Sequence, residues 1–330
     1  MKVLLCGGAG YIGTHVALEF LKRGDTVGIL DDFSSGLHEN VDQRTHLYEG
    51  SILDKAVLDR ALQDTWDVVI HLAAFKAAGE SMLDPAKYAQ NNISGSLNML
   101  AACIEYKVDK FILSSSAAVY GEPQYLPIDE KHPTQPENYY GYTKLAIEEN
   151  LGWFSRLKGL SYVSLRYFNA AGYDPTGTVL GLERNPANLI PVVMEVASGM
   201  RKEMQVYGND YQTKDGTGVR DYVHVTDLAV AHVLAADYLM AGKDSLVVNL
   251  GSEQGLSVQE IIDSARKITG CAIATKVVDR RPGDPAKLVA SSALAKERLG
   301  WKPRYSSVDA IIDTTWKVYQ ANRGKNGRTC

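Results

Sequence analysis

Short apolar runs alternate with longer amphipathic ones from residue 3 to about residue 170. The runs Val3–Cys6, Thr26–Leu30, Thr45–Glu49, Val68–Leu72, Lys110–Ser114 and Ser161–Arg166 have the length and composition of strands. Between them, apolar positions recur at helical spacing near 11–23, 54–63, 84–106 and 140–157. Val68, Val69 and Ile70 are consecutive, a pattern that suits a strand buried on both faces. Buried strands alternating with helices predict an α/β fold, a Rossmann-type doubly wound parallel sheet.

After Asn169 the texture changes. Residues 170–188 are rich in Gly, Pro, Thr and Asn and read as loop. Helices are expected over Leu189–Ser198 and near 226–241, 257–269, 291–299 and 306–322, with strands at Met204–Tyr207 and near 246–250 and 274–279. Gly208–Val219 reads as a polar loop. The expectation is a first domain over 1–175 and a smaller mixed α/β C-terminal domain over 176–330, with later segments returning to edge the first sheet.

Composition narrows the function. The chain has 330 residues, 45% of them hydrophobic, enough for two domains or one large one. A net charge of −4 offers no basic footprint for nucleic acid or an anionic membrane. No apolar stretch free of charges is long enough for a membrane span, and glycines interrupt the N-terminal run too early for a secretory signal. Cys6, Cys103, Cys271 and Cys330 are scattered without metal-ligand spacing, so no metal site is expected. His71 and His224 lie in apolar surroundings and read as core histidines. A cytoplasmic protein acting on small molecules fits this profile.

Gly7-Gly8-Ala9-Gly10-Tyr11-Ile12-Gly13 follows the first strand and opens the first helix. Small residues let the backbone approach a pyrophosphate, whose charge then sits at the helix N-terminus. A tight turn needs glycines for packing alone, so the context matters. Here the next strand ends in Asp31-Asp32. An acid at that point accepts hydrogen bonds from adenosine ribose hydroxyls and repels a 2′-phosphate, which favours NAD over NADP. Asp32 taken alone reads equally well as a solvated loop acid.

Tyr140 and Lys144 stand four residues apart, on one face of a predicted helix. A Lys cation beside a phenol favours the phenolate, making Tyr140 a candidate acid/base for a hydroxyl whose carbon exchanges hydride. The spacing occurs twice. Tyr106 and Lys110 form the other pair, but Lys110 begins a strand, and ligands of such sheets bind beyond the carboxyl ends. Tyr140 and Lys144 follow a strand ending in Ser114-Ser115-Ser116, where Ser116 can join them. Ser114 and Ser115 read as polar groups of a turn.

These residues carry a resemblance. G-G-A-G-Y-I-G, S-S-S-A-A-V-Y-G and Y-Y-G-Y-T-K resemble the extended short-chain dehydrogenase/reductase superfamily. F-K-A-A-G-E-S (75–81), L-R-Y-F-N-A-A-G (165–172), G-T-G-V-R-D-Y-V-H-V (216–225) and R-R-P-G-D (280–284) are similar to the UDP-glucose 4-epimerase family, over residues 1 to about 320. The resemblance implies tightly held NAD that takes hydride from C4 of a UDP-hexose while a tyrosine takes the hydroxyl proton. The 4-keto sugar then turns in the pocket, hydride returns to the opposite face, and NAD is regenerated.

The same resemblance implies roles. Tyr140 is the acid/base, Lys144 tunes it and holds the nicotinamide ribose, and Ser116 anchors the hydroxyl. Gly7, Gly10, Tyr11, Ile12, Gly13, Asp31, Asp32, Leu72, Ala73, Lys76, Asn91 and Phe168 fall at cofactor positions. Asn169, Asn188, Leu189, Tyr207, Arg220, Arg281 and Asp284 fall at UDP-sugar positions. On their own chemistry, Arg220 and Arg281 suit a diphosphate and Asp284 suits ribose hydroxyls, the lesser alternative for either arginine being a surface ion pair. Lys76 alone could be a solvated loop lysine, and Tyr207 a core residue.

Three departures from the family pattern stand out. Gly50-Ser51-Ile52 replaces a frequent Gly-Asp-Ile, so Ser51, beside Ile52, meets the adenine without a charge and NAD retention is expected to weaken. Ala187-Asn188 replaces an Asn pair. Leu288 stands at the position where a tyrosine in some members excludes a 2-acetamido group, so activity on UDP-galactose/UDP-glucose is expected with UDP-GalNAc/UDP-GlcNAc also admitted. Ala117-Ala118 after Ser116 argues against a nucleotide-sugar 4,6-dehydratase, which needs an acidic pair there. The retained Ser116, Tyr140 and Lys144 argue against a non-catalytic NAD sensor. The family resemblance also implies a homodimer built through the helices near 84–106 and 140–157.

Overall fold

The structure, a computed structural model, describes residues 1–323 apart from 184, 185, 187, 282 and 283. Ala187 of the Ala187-Asn188 pair and the tail to Cys330 therefore lie outside the described residues. In chain order the strands are β1 (Lys2–Cys6), β2 (Thr26–Asp31), β3 (His46–Glu49), β4 (Val68–His71), β5 (Lys110–Ser116), β6 (Ser161–Tyr167), β7 (Asn169–Ala171), β8 (Met204–Tyr207), β9 (Val219–His224), β10 (Leu246–Leu250), β11 (Gly255–Ser257), β12 (Thr275–Val278) and β13 (Lys287–Leu288). The helices are α1 (Tyr11–Lys22), α2 (Lys55–Leu62), α3 (Ala78–Leu83), α4 (Pro85–Tyr88), α5 (Gly95–Glu105), α6 (Tyr139–Lys158), α7 (Leu189–Ala197), α8 (Val225–Met240), α9 (Val258–Thr269), α10 (Ala293–Leu299) and α11 (Val308–Arg323). None of the helices among the described residues is long and apolar enough to cross a membrane.

Seven parallel strands form the main sheet in the order β10-β6-β5-β4-β1-β2-β3. Successive side chains of a strand face opposite sides, and two separate cores follow from that alternation. Val3, Leu5, Val68, Ile70 and Ile112 pack on one side with residues of α1 and α8. Leu4, Cys6, Val69, Phe111 and Leu113 pack on the other with α2, α5 and α6. The doubly wound sheet expected from sequence is thus present. Its seventh strand, Leu246–Leu250, arrives from the C-terminal half and pairs with β6.

The remaining strands make two small sheets. Strand β9 is central to one, antiparallel to β11 and parallel to β7 and β13. Strands β8 and β12 pair alone, in parallel. A third core of α7, α9 and α11 residues, including Ile190, Ile262 and Ile312, packs beneath them. Helix α9 carries a capping box of Ser257 and Glu260 and ends on left-handed Gly270.

Three expectations need correction. Val219 is not the end of a loop but opens the strand Val219–His224, whose charged Arg220 and Asp221 hide it in the sequence because their partners are tertiary. Ala170 and Ala171 likewise belong to a short strand, β7, rather than to loop. The helix expected over 84–106 is broken into α4, a π-helical turn at Ala89–Ser94, and α5. Single-turn π segments are rare inside helices and recur at functional sites.

Trp66 is fixed by its Nε1–H donating to the Ala61 carbonyl at 2.7 Å, with its ring against Gly28 of β2. A Cβ at Gly28 would lie 2.5 Å from Trp66 Cη2. Gly28→Ala is therefore expected to destabilise the fold by about 1–3 kcal/mol through overpacking, read as a lowered urea midpoint. A midpoint equal to that of the wild type would contradict this account of the sheet.

Candidate active site

The carboxyl ends of β1, β2, β4 and β6 open onto a cavity of about 550 Å³. Its floor is the glycine turn. Gly7 has a left-handed φ of 84°, and a Cβ there would lie 2.6 Å from the Ala73 nitrogen. A Cβ on Gly13 would lie 2.3 Å from the Gly7 carbonyl oxygen. Main chain meets main chain here, so only glycine fits. Helix α1 starts at Tyr11 with Gly10 as its N-cap and no capping side chain, leaving first-turn N–H groups for an anion. Gly10, Tyr11, Ile12, Leu72 and Ala73 all line the cavity. The residues present fit a dinucleotide.

Asp31 closes one end of this floor. Its carboxylate accepts from the Ala9 N–H and the Phe33 N–H, both at 2.9 Å, and burial raises its pKa. It therefore braces the turn as well as lining the cavity. Asp32 is exposed, accepts from the Ser34 N–H at 2.9 Å and also lines the cavity. Ile52 is in the wall, but Ser51 is not, and its hydroxyl accepts from the Leu53 N–H at 3.2 Å. Lys76 and Asn91 line the cavity too, and Lys76 forms an ion pair with Glu183 across from it. Phe168 is buried in a cluster with Ala117, Tyr120 and Leu288 instead of lining the cavity.

Three groups converge at the end of β5. Lys144 is 3% exposed, and its Nζ donates to the Ser114 carbonyl at 2.9 Å, 5.9 Å from the centre of the Tyr140 ring. Burial lowers its pKa to about 8, partly opposed by the Glu148 carboxylate. Tyr140 hydrogen-bonds Ser116, and both Tyr140 and Lys144 face the cavity. The expectation that Lys144 draws the phenol toward neutrality is not met in this state. Burial raises the Tyr140 pKa, and Ser116 only partly offsets it. Tyr106 and Lys110 stand at the amino end of β5, away from this site.

Ser114 and Ser115 are not turn groups, because β5 runs through Ser116. Ser114 Oγ lies 3.0 Å from His232 Nε2, and Ser115 Oγ donates to Glu148 Oε1 at 2.6 Å. Ser116 Oγ accepts from the Ala118 N–H at 3.2 Å. His71 and His224 are buried, as core histidines should be; His71 Nε2 lies 2.7 Å from Ser96 Oγ.

The predicted nucleotide-sugar residues fall into a second group. Arg220 of β9 pairs with Asp284, and Leu288 stands beside Arg220 in register. Arg281 stacks on Tyr207, with its guanidinium carbon 3.8 Å from the ring centre. Asn188 lines the dinucleotide cavity, Leu189 opens α7, and Asn169 donates to the Asp221 carbonyl at 2.9 Å. Arg220, Asp284 and Leu288 thus form one cluster, while Asn188 reaches the other.

Sequence reasoning missed Asn92. It is fully buried in the π-helical turn and clamps Phe75 from both sides, accepting from its N–H at 2.9 Å and donating to its carbonyl at 3.0 Å. Its amide also donates to Thr143 Oγ1 at 3.2 Å, and Thr143 in turn donates to the Tyr140 carbonyl. Asn92 therefore ties the Lys76 loop to α6. The π turn is invisible in apolar spacing. Ser34, Ser35, Tyr167 and Glu183 also line the cavity; only the serines, just after Asp31-Asp32, had a local signal.

The family model described as GDP-mannose 4,6 dehydratase matches residues 4–314. A UDP-glucose 4-epimerase of Lacticaseibacillus casei is 45% identical over 322 residues, covering 97% of each chain. The UDP-glucose 4-epimerase of Brucella ovis, solved in complex with NAD, superposes with a TM-score of 0.94 at 43% identity, over 96% of this chain and 98% of that one. The Bifidobacterium longum enzyme, solved with NAD+ and UDP, gives 0.92 at 38% identity, over 99% and 100%.

The buried Lys144 has a pH signature. Its folded pKa, about 8, lies below the 10.5 of a free lysine, so between those values the unfolded state binds more protons and stability rises with pH. Lys144→Met removes that rise. Urea midpoints of wild type and variant should therefore separate progressively in favour of the wild type between pH 8 and 10. Parallel midpoints over this range would refute the assignment.

Proposed function

The chain belongs to the UDP-glucose 4-epimerases, within the wider family described as GDP-mannose 4,6 dehydratase, and from that premise we propose how its residues carry the reaction. It is an NAD-dependent isomerase that interconverts UDP-hexoses epimeric at C4 through a transient 4-keto sugar. The observation that carries the assignment of roles is the meeting of Tyr140, Ser116 and Lys144 beside the glycine-floored cavity.

NAD+, when bound, would supply the hydride acceptor and donor for C4 of the sugar. Gly7, Gly10, Tyr11, Ile12 and Gly13 would hold its pyrophosphate, Asp31 and Asp32 its adenosine ribose, and Ile52, next to Ser51, its adenine. Leu72, Ala73, Lys76 and Asn91 would complete that wall, with Phe168 outside it in the cluster of Ala117, Tyr120 and Leu288. Tyr140 takes the proton of the 4-hydroxyl and gives one back, and Ser116 orients that hydroxyl. Lys144 spends one proton on Ser114 and keeps two for the cofactor ribose and the developing phenolate. Arg220 and Arg281 grip the diphosphate, with Asp284 on the ribose. Asn169, Asn188, Leu189 and Tyr207 enclose the rest, leaving the sugar ring free to turn. Ala117-Ala118 offers no acid or base for dehydration.

Leu288 supports a second substrate class. It packs against Phe168 and Ala290 beside Arg220, and a leucine is more flexible than a planar ring, so a 2-acetamido group is admitted. We assign residues 1–175 chiefly to NAD and 176–330 chiefly to the UDP-sugar. Tyr142, Trp153 and Leu157 form an exposed apolar stripe on α6, which supports a homodimer through that helix. The working compartment is the cytoplasm.

The test is a product assay on the purified protein, with UDP-galactose and UDP-GalNAc supplied separately, with and without added NAD. UDP-galactose should be converted; full activity only after NAD addition would reflect the uncharged Ser51. Tyr140→Phe should lower kcat at least about 100-fold with little change in KM, and Leu288→Tyr should suppress UDP-GalNAc turnover selectively. Folded protein that converts neither substrate under either condition would remove these hexoses as substrates and leave UDP-xylose and UDP-glucuronate as the next candidates.

A further inference from the structure

Tyr140, Lys144 and Glu148 follow one another at four-residue intervals along α6, on one face. Opposite them run Ser114, Ser115 and Ser116 at the end of β5. The two elements are joined by three rungs. Lys144 donates to the Ser114 carbonyl at 2.9 Å, Ser115 donates to Glu148 Oε1 at 2.6 Å, and Ser116 bonds Tyr140. The outer rungs hold groups already given to the reaction. The Ser115–Glu148 rung touches neither the cavity nor the nucleotide-sugar cluster.

Glu148 is anchored from a third element. Arg166 lies directly beside Ser115 in the β5–β6 register, and its Nε and Nη2 grip both carboxylate oxygens at 2.5–3.1 Å. Its Nη1 donates to the Tyr120 hydroxyl at 3.0 Å, which donates to Asn249 Oδ1 at 2.7 Å. Glu148 and Arg166 are each 7% exposed. A buried pair of this kind adds little stability over well-packed apolar residues of similar volume, but it fixes geometry in a way they do not. Its carboxylate also favours the charged form of Lys144, one turn away.

We propose that Glu148, gripped by Arg166 and Ser115, is a positioning residue for the epimerase reaction. It latches the end of β5 to α6 and so fixes Ser116 and Lys144 relative to Tyr140. The inference rests on the reaction assigned above. Turnover of UDP-galactose by the wild-type protein tests that assignment, and the variants relative to it test the latch.

Ser115→Ala removes the rung while leaving the Arg166–Glu148 pair in place. The expected result is a kcat about tenfold lower, because a small displacement of catalytic groups is costly, with KM for UDP-galactose within about twofold of wild type. The paired variant E148M/R166M exchanges the ion pair for apolar volume. It should melt close to the wild type yet lose kcat at least as severely. A wild-type kcat in Ser115→Ala, whatever its melting temperature, overturns the proposal, as does a parallel rise in KM. If the paired variant fails to fold, Ser115→Ala decides alone.

Discussion

The site depends on how closely main chain can approach main chain at the carboxyl edge of the sheet. Gly7 and Gly13 leave no room for even one carbon between the turn after β1, the start of α1 and the chain leaving β4. That contact sets the depth of the cavity floor and aims uncapped N–H groups of α1 at it. Asp31 then locks the turn by accepting from Ala9 and Phe33. Everything catalytic is measured from this floor: α6 is drawn toward it by Lys144 and held beside the Lys76 loop by Asn92.

Electrostatics at the site follows from burial more than from pairing. Lys144 is buried without a full counter-charge and is easily deprotonated, and Tyr140 is buried and hard to ionise. Each is poorly set alone. A cationic ring beside the phenol and a ribose on the ammonium would alter both together, so chemistry in this pocket is coupled to its occupancy.

Much of this was legible in the sequence. Strand–helix alternation gave the main sheet, because both cores are built from strictly alternating side chains, Val3 and Leu5 against Leu4 and Cys6. Local motifs placed Tyr140, Lys144 and the glycine turn at one edge. The rest depended on partners distant in sequence. Strand β9 was hidden because Arg220 and Asp221 look like loop residues until Asp284, Ser252 and Ala290 are brought to them. Ser115 looked idle because its partner Glu148 lies 33 residues away. Ser51 and Phe168 were read from family position alone, and neither side chain lines the cavity.

The strand β10 that crosses back to lie beside β6 makes the two halves of the chain mutually dependent. Cut after residue 175, the first half would present β6 as an open edge and lose α8, whose Leu228, Ala235 and Leu239 share with α1 the covering of one side of the sheet. Unpaired backbone and bare apolar surface of that kind recruit other chains. A gene fragment encoding the dinucleotide half would thus yield a sticky polypeptide and not a smaller, working cofactor-binding protein.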